Sequence, residues 1–292
     1  MIKSLTPDNW LQYELIDCGD FEKLEKFGLV IVRRPEPQAL WSKSMSESEW
    51  LHLANATFSR DKVNADKGQW HLKQNVPSKW PLEYKTPRYQ LRCKLSLTAF
   101  KHVGIFPEQS LNWDFIFDKV STHKKENPRV LNLFAYTGMA SLAAKAAGAD
   151  VTHLDSVKPV VTWAKENMEL SGLQNIRWLV EDAFKFVKRE INRGNKYDGI
   201  ILDPPAYGRG PQGEKWLLEN QINELLSMVA RLLYENDSFF VINLYSLGFS
   251  SIILENLMNE HFARFAKKTE CGEIYLQDRF MKKLPLGIYG RF

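Results

Sequence analysis

Cysteine is scarce in this 292-residue chain: Cys18, Cys93 and Cys271 are the only three, and none belongs to a C-x-x-C pair. That excludes a disulfide-stapled secreted scaffold and a thiolate metal cluster. H-E-x-x-H and clustered acids are missing as well, and His71 and His102 have no second ligand at metal spacing, so no metal is expected. The longest apolar stretches are interrupted well short of a bilayer span, and residues 1–10 are polar. A cytoplasmic protein with no membrane partner is therefore the expectation. Internal repeats and low-complexity tails are lacking, and a net charge of +4 is too mild to argue a polyanionic partner by itself. The most telling absence is the G-x-G-x-x-G turn that closes a backbone around a pyrophosphate, which argues against a dinucleotide cofactor and hydride transfer.

What is present is the frame around that missing turn. Residues 130–134 are a short apolar run with polar flanks, as expected of a parallel strand buried on both faces. Ala135, Tyr136 and Thr137 lead to a lone glycine, Gly138, where the backbone can pass close to a ligand. An Ala- and Leu-rich helix comes next, stopped by Gly148, and residues 150–155 return as a second strand ending in Asp155. Asp155 stands where a ribose-binding acid belongs. S-adenosylmethionine carries a ribose and an adenine but no phosphate, so one glycine and one acid suffice for it. A turn that merely packs a helix would look similar, and the residues beyond Asp155 decide between the two.

A helix with Pro159 in its first turn and Val157, Val161, Ala164 and Met168 on one face leads to a third strand, residues 176–180. At its tip Asp182-Ala183 is placed either to reach an adenine amino group or to cap the next helix, and both can hold at once. A fourth strand, residues 197–202, runs into Asp203-Pro204-Pro205-Ala206-Tyr207-Gly208. Two prolines cannot extend a sheet, so they stiffen a turn at the ligand-binding end of the strands. Asp203 and the Pro204 carbonyl can accept hydrogen bonds from a base edge while Tyr207 stacks on its face; the alternative is a Tyr207 packed in the core.

On these residues the chain resembles the class I S-adenosylmethionine-dependent methyltransferases. LNLFAYTG, VTHLDSVKPVVTWAKEN, EDAF and LDPPAYGRG match, in order and spacing, the group containing large-subunit ribosomal RNA cytosine-5 methyltransferases and their N7-guanine relatives. FKHVGIFPEQ, residues 100–109, is similar to that group's segment just upstream of the core. The resemblance spans residues 100–292 and implies an α/β fold: a seven-stranded Rossmann-like sheet behind a smaller β-rich N-terminal domain. It also implies S-adenosylmethionine as cofactor, with contacts at Phe106, Gln109, Phe134, Tyr136, Thr137, Gly138, Asp155, Ser156, Asp182 and Ala183, and a catalytic turn of Asp203, Pro204, Pro205 and Tyr207. The rest of the chain fits: an amphipathic helix through Leu218, Ile222, Leu225, Val229 and Leu232, a fifth strand at 238–244, and a last strand pair near 264–271 and 287–292.

Departures from that group narrow the chemistry. Methylation at carbon 5 of cytosine needs a thiolate to attack carbon 6, yet the stretch after the fifth strand reads Asn243-Leu244-Tyr245-Ser246-Leu247, with no cysteine. Nitrogen methylation needs chiefly alignment and exclusion of water. The turn resembles the (Asp/Asn/Ser)-Pro-Pro-aromatic motif of amino-group methyltransferases, with Ala206 inserted before the aromatic.

The N-terminal part has a different texture. Strand-like pieces at 11–16, 29–33 and 90–97 and one helix near 46–56 predict a β-rich domain over residues 1–108, with residues 109–292 forming the catalytic domain. It does not read as the PUA module that the cytosine-5 members carry. Between Arg60 and His102 ten Lys or Arg face three acids. Trp70, Trp80, Tyr84 and Tyr89 are interleaved with Lys73, Lys79, Lys85, Arg88 and Arg92, a mixture suited to single-stranded RNA. The competing reading is a lysine-edged sheet with its tryptophans in the core. The leading expectation is methylation of a nucleobase of ribosomal RNA. The alternatives are a methyltransferase for a small molecule or a protein nitrogen, and a catalytically inactive RNA-binding protein on the same fold.

Overall fold

Residues 3–7, 10–61, 68–245 and 248–292 are described by a computed structural model of the chain. It divides into two compact units: Met1–Leu5 with Ser110–Ile274 and Gly287–Phe292, and Thr6–Gln109 with Tyr275–Leu286.

The first unit is built on strands whose near-continuous apolar runs demand cover on both faces. β1 (Arg129–Leu133) pairs in parallel with β2 (Asp150–Asp155) on one side and β4 (Gly199–Leu202) on the other. β3 (Ile176–Val180) lies beyond β2, and β5 (Phe239–Leu244) beyond β4, both parallel. β7 (Lys283–Arg291) runs antiparallel to β5, and β6 (Glu270–Gln277) lies next to it, giving the order β3-β2-β1-β4-β5-β7-β6. The strand order therefore reverses between β1 and β4, and a crevice opens at their carboxyl ends, the place where such sheets bind ligands.

Five of the helices wrap this sheet: α1 (Ser110–Ser121), α2 (Met139–Ala146), α3 (Lys158–Leu170), α4 (Ala183–Asn192) and α5 (Leu218–Leu232). The apolar stripe of α5 is buried at Ile222, Leu225, Val229 and Leu232, in one cluster with Phe186 of α4 and Ile200 of β4. An eighth strand, Lys3–Leu5, adds to the sheet edge in parallel with Gly272–Ile274 of β6. Three residues, Lys-Ser-Leu, carry no strand signal of their own, so this edge is set by tertiary pairing. The last strand pair also differs from expectation: residues 263–268 form a 3-10 helix, and β6 starts only at Glu270.

The second unit holds a five-stranded sheet, in the order Tyr13–Gly19, Glu22–Phe27, Val30–Pro35, Ala56–Arg60 and Gly68–Leu72, together with a hairpin of Lys79–Lys85 and Gln90–Ser96. Its helix, Glu47–Leu53, starts at a capping box between Ser46 and Glu49. A single cut between residues 108 and 109 misses two exchanges between the units. Lys3–Leu5 pairs with β6, while Leu276, Leu284 and Leu286 join Leu15, Cys18 and Ala39 in one apolar cluster.

The aromatic residues of this unit correct the stacking expectation. Trp70, Trp80, Tyr84 and Tyr89 are all at least nine-tenths buried. Trp80 Nε1 donates to the Phe27 carbonyl at 3.0 Å and Trp70 Nε1 to that of Phe100 at 3.1 Å, while Tyr84 meets the rings of Trp10 and Tyr89 edge-on. Alternation in Lys79–Lys85 turns Trp80, Leu82 and Tyr84 inward and leaves Lys79 and Lys85 exposed. These four rings are core, and on the hairpin strand Lys79–Lys85 it is the lysines that face solvent. Among the described residues no helix is long and apolar enough to cross a membrane, and no group of three or more His, Cys, Asp or Glu could hold a metal ion.

Candidate active site

Three residues in the left-handed region shape the turn that leaves β1: Phe134 (φ 55°), Tyr136 (φ 48°) and Gly138 (φ 92°). Two of them are not glycine, so the conformation must be held from outside. Asp155 holds it. Its Oδ2 accepts from the Tyr136 amide and its Oδ1 from the Val157 amide, each at 2.9 Å. Burial raises the Asp155 carboxyl above its ordinary range against these backbone donors. Below the turn, Asn132 Nδ2 donates to Ser141 Oγ at 2.9 Å, and Ser141 Oγ lies 3.0 Å from His153 Nδ1. Burial pushes the His153 imidazole down to about 3, which keeps it neutral in this apolar layer.

Gly138 plays a different part from the one its sequence position suggests. A Cβ there would sit 3.0 Å from the Cβ of Ala164 on α3 and 3.5 Å from His153 Cε1. Its missing side chain and positive φ thus serve the seating of α2 against α3, with Asn167 Nδ2 donating to the neighbouring Thr137 carbonyl at 2.9 Å.

A cleft of about 330 Å³, measured to its open mouth, lies at the carboxyl ends of β1, β2, β3 and β4. Of the residues expected at a cofactor, it brings together Phe134, Asp155, Ser156, Asp182 and Ala183, with Pro205 from the prolyl turn. Tyr136, Thr137 and Gly138 stand in the supporting turn and do not line it, and Phe106 and Gln109 belong to the second unit. Asp182 caps α4, its Oδ1 accepting from the Lys185 amide at 3.0 Å, and the residue also lines the cleft. Beside it, Glu181 is clamped by two bonds from Arg189, at 2.6 and 2.7 Å.

The far wall contains a residue that sequence reasoning does not single out. After the prolines, Tyr207–Arg209 pairs with Lys215–Leu217 in a small antiparallel flap, with Gly208 opposite Trp216. Trp216 turns inward, 5% exposed, its Nε1 donating to the Pro205 carbonyl at 2.6 Å and its ring 5.0 Å from that of Phe134. The flap is tied to α4 by Lys185, which bonds Glu214 and Gln212. The only sequence signal for Trp216 is an aromatic a few residues beyond a stiff turn. Tyr207 itself is 52% exposed on the flap, with its hydroxyl accepting from Arg209 Nε at 2.9 Å, so it is not a core residue.

Asp203 follows directly on β4, and of the expected catalytic turn only Pro205 lines the cleft, whereas Asp203, Pro204 and Tyr207 do not. Asp203 Oδ1 accepts from Asn243 Nδ2 at 3.2 Å, and burial pushes this carboxyl up to about 6. The donor set as a whole suits a phosphate-free nucleoside: acids at two strand tips, flat apolar walls from Phe134, Pro205 and Trp216, and no lysine or arginine of a phosphate cradle beyond Arg209.

Residues 56–271 match a family described as S-adenosylmethionine-dependent methyltransferase. The chain is 36% identical to a SAM-dependent methyltransferase from Agrobacterium tumefaciens, with a TM-score of 0.90 over 99% of this chain and 93% of that one. A candidate methyltransferase solved in complex with SAH shares the fold at 18% identity, with a TM-score of 0.72 over 96% of this chain and 75% of that one. Among curated proteins, it is 32% identical over 56% of its length to the ribosomal RNA large subunit methyltransferase K/L of Shewanella frigidimarina, of which the match covers 22%. The chain thus spans about a fifth of the length of that relative.

Proposed function

Since the chain belongs to the S-adenosylmethionine-dependent methyltransferase family, we propose that it methylates a nitrogen of a nucleobase in ribosomal RNA. The observation that carries the choice of nitrogen is Asp203, an acid with a raised carboxyl at the tip of β4, two residues before the cleft-lining Pro205, while among the described residues no cysteine lines the cleft. Burial pushes the thiols of Cys18 and Cys93 up to about 12 and that of Cys271 to about 11, and the first two belong to the second unit. Thiols held protonated in this way are poor nucleophiles.

In this reading Asp155 holds the ribose hydroxyls, Asp182 and the start of α4 meet the adenine edge, and Phe134, Pro205 and Trp216 cover its faces. When bound, the cofactor supplies a methyl group already activated by a sulfonium. The protein's own work is then positioning and proton handling. Asp203 and the Pro204 carbonyl accept the hydrogens of an amino or ring nitrogen, and the stiff Pro204-Pro205 turn fixes the approach. Tyr207, exposed on the flap, offers a face to the target base.

Ribosomal RNA as substrate is supported by what the Shewanella relative is named for. It is supported also by the charged outer face of the hairpin in the second unit, where Lys79, Lys85, Arg92 and Lys94 share one side with Glu83. The test is transfer of labelled methyl from S-adenosylmethionine to total ribosomal RNA from cells lacking this protein, with protein and metabolite extracts in parallel. Label at one nucleotide, on nitrogen, supports the proposal; label only in another fraction overturns its RNA part, and a carbon-5 product its nitrogen part.

A further inference from the structure

Asn243 is the one polar residue in the fully buried strand β5, FFVINL. A lone amide in such a strand needs a reason. Its Nδ2 donates to Asp203 Oδ1 at 3.2 Å, while its Oδ1 is buried with no hydrogen-bond partner. Space for the amide is made by Gly287 of β7, where a Cβ would stand 3.1 Å from Asn243 Oδ1 and 3.3 Å from the Leu244 carbonyl oxygen. Asn243 does not line the cofactor cleft. Among the described residues, burial and this amide are the influences that set the Asp203 carboxyl.

An amide has a property that suits a group changing protonation state. As Nδ2 it donates to a carboxylate; turned over, it presents Oδ1, which accepts from a carboxylic acid. We propose that Asn243 is a positioning residue that holds the Asp203 carboxylate in its ionised state and, by turning its amide, accepts a hydrogen bond from the proton when Asp203 becomes an acid. The inference rests on the nitrogen-methylation reading. There, the target nitrogen forms its bond to the methyl group with its own electron pair, and the pair of the broken methyl–sulfur bond stays on sulfur. The N–H proton passes to Asp203, the pair of that N–H bond remaining on nitrogen. The orphaned Oδ1 of Asn243 then gains the partner it lacks.

The experiment is carboxyl carbon NMR on full-length protein labelled at aspartate, with Asp203 assigned by Asp203→Asn. The midpoint expected for Asp203 in the native protein is about 6, to which burial pushes it. In Asn243→Ala the midpoint moves up by about one pH unit, the scale of removing a hydrogen bond to a charged group, and Asn243→Ser, with a hydroxyl able to donate or accept, restores part of the shift. S-adenosylmethionine affinity stays within about twofold, because the cleft walls are untouched. If Asn243→Ala does not fold, Asn243→Asp keeps the volume, and the facing acids titrate in two steps split around the native midpoint. An Asp203 midpoint that does not move in a folded Asn243 variant overturns the proposal. No RNA enters this measurement, so a failure of the substrate reading is separately visible as absence of label in ribosomal RNA.

Discussion

The Asp155 carboxylate accepts the Tyr136 amide at 2.9 Å, so one side chain at the end of β2 both faces the cleft and pins the left-handed turn that leaves β1. With Asp155 in the proposed ribose role, cofactor binding and local stability are coupled through it. Asp155→Ala removes the acceptor of the part-buried Tyr136 amide and that of the exposed Val157 amide at once, and the expected cost is about 1 kcal/mol, carried by the Tyr136 amide, since the Val157 amide can turn to water. Asp155→Asn keeps one carbonyl oxygen and falls between. Urea unfolding and calorimetric titration with S-adenosylmethionine together read the two effects. Affinity should fall more than tenfold in the alanine variant, and an unchanged dissociation constant in folded protein would remove Asp155 from the ribose role.

Trp216 and Tyr207 stand on the same small flap with opposite exposures, 5% and 52%. Their substitutions should separate binding from turnover. Trp216→Ala deletes the wall against Phe134 and the bond to the Pro205 carbonyl, so cofactor affinity drops about tenfold or more, the combined scale of an aromatic pair and a hydrogen bond. Tyr207→Ala leaves that affinity within about twofold and lowers turnover instead. If Tyr207→Ala impaired cofactor binding as much as Trp216→Ala, the division of the flap into an inner and an outer face would be wrong.

The contrast between those two residues also marks where sequence stops being legible. β1 to β5 can be read because buried parallel strands are continuous apolar runs, and the run at residues 176–180 coincides with the strand Ile176–Val180. Asp155, Asp182 and Pro205 can be placed because strand tips face the ligand. Trp216 cannot, since its flap is two strands of three residues whose pairing is a tertiary fact. The strand Glu22–Phe27 is hidden for another reason. Its inward positions include Lys23 and Glu25, and a buried charge reads as a surface one. Against burial, which favours the neutral acid, Arg34 and Lys23 hold Glu25 down at about 2, so it is ionised inside the fold.

The raised carboxyl of Asp203 gives activity and stability opposite responses to pH. As the proposed base it must be ionised, so methyl transfer is expected to fall as pH drops through about 6. For folding the sign is reversed. A carboxyl whose folded value lies above its unfolded one favours the native state most at low pH, and that contribution is lost as pH rises from the unfolded value through about 6. Asp203→Asn removes the penalty of burying a charge, so its stability relative to the native protein should increase between about pH 4 and pH 7, the span that brackets the two values, while turnover is abolished. Thermal unfolding across that range checks it, and a stability difference independent of pH would show that Asp203 is not desolvated.

The charged side of the hairpin makes the RNA reading quantitative. Because Trp70, Trp80, Tyr84 and Tyr89 are interior, this unit can hold RNA through phosphates but not by stacking those rings. Binding should then depend steeply on salt and little on sequence. Lys79 and Lys85 are exposed on one strand, and Arg92, across from Glu83, is already in an ion pair with it at 3.2 Å. The double variant Lys79→Glu, Lys85→Glu should therefore weaken binding to ribosomal RNA and flatten the plot of log affinity against log salt, by about 0.7 for each single-strand phosphate no longer neutralised. Affinity for S-adenosylmethionine, measured on the same preparation, stays unchanged, since both lysines belong to the unit that supplies no residue to the cleft. An unaltered salt slope would mean that Lys79 and Lys85 do not touch RNA phosphates, and would remove the hairpin's lysine strand from the RNA reading.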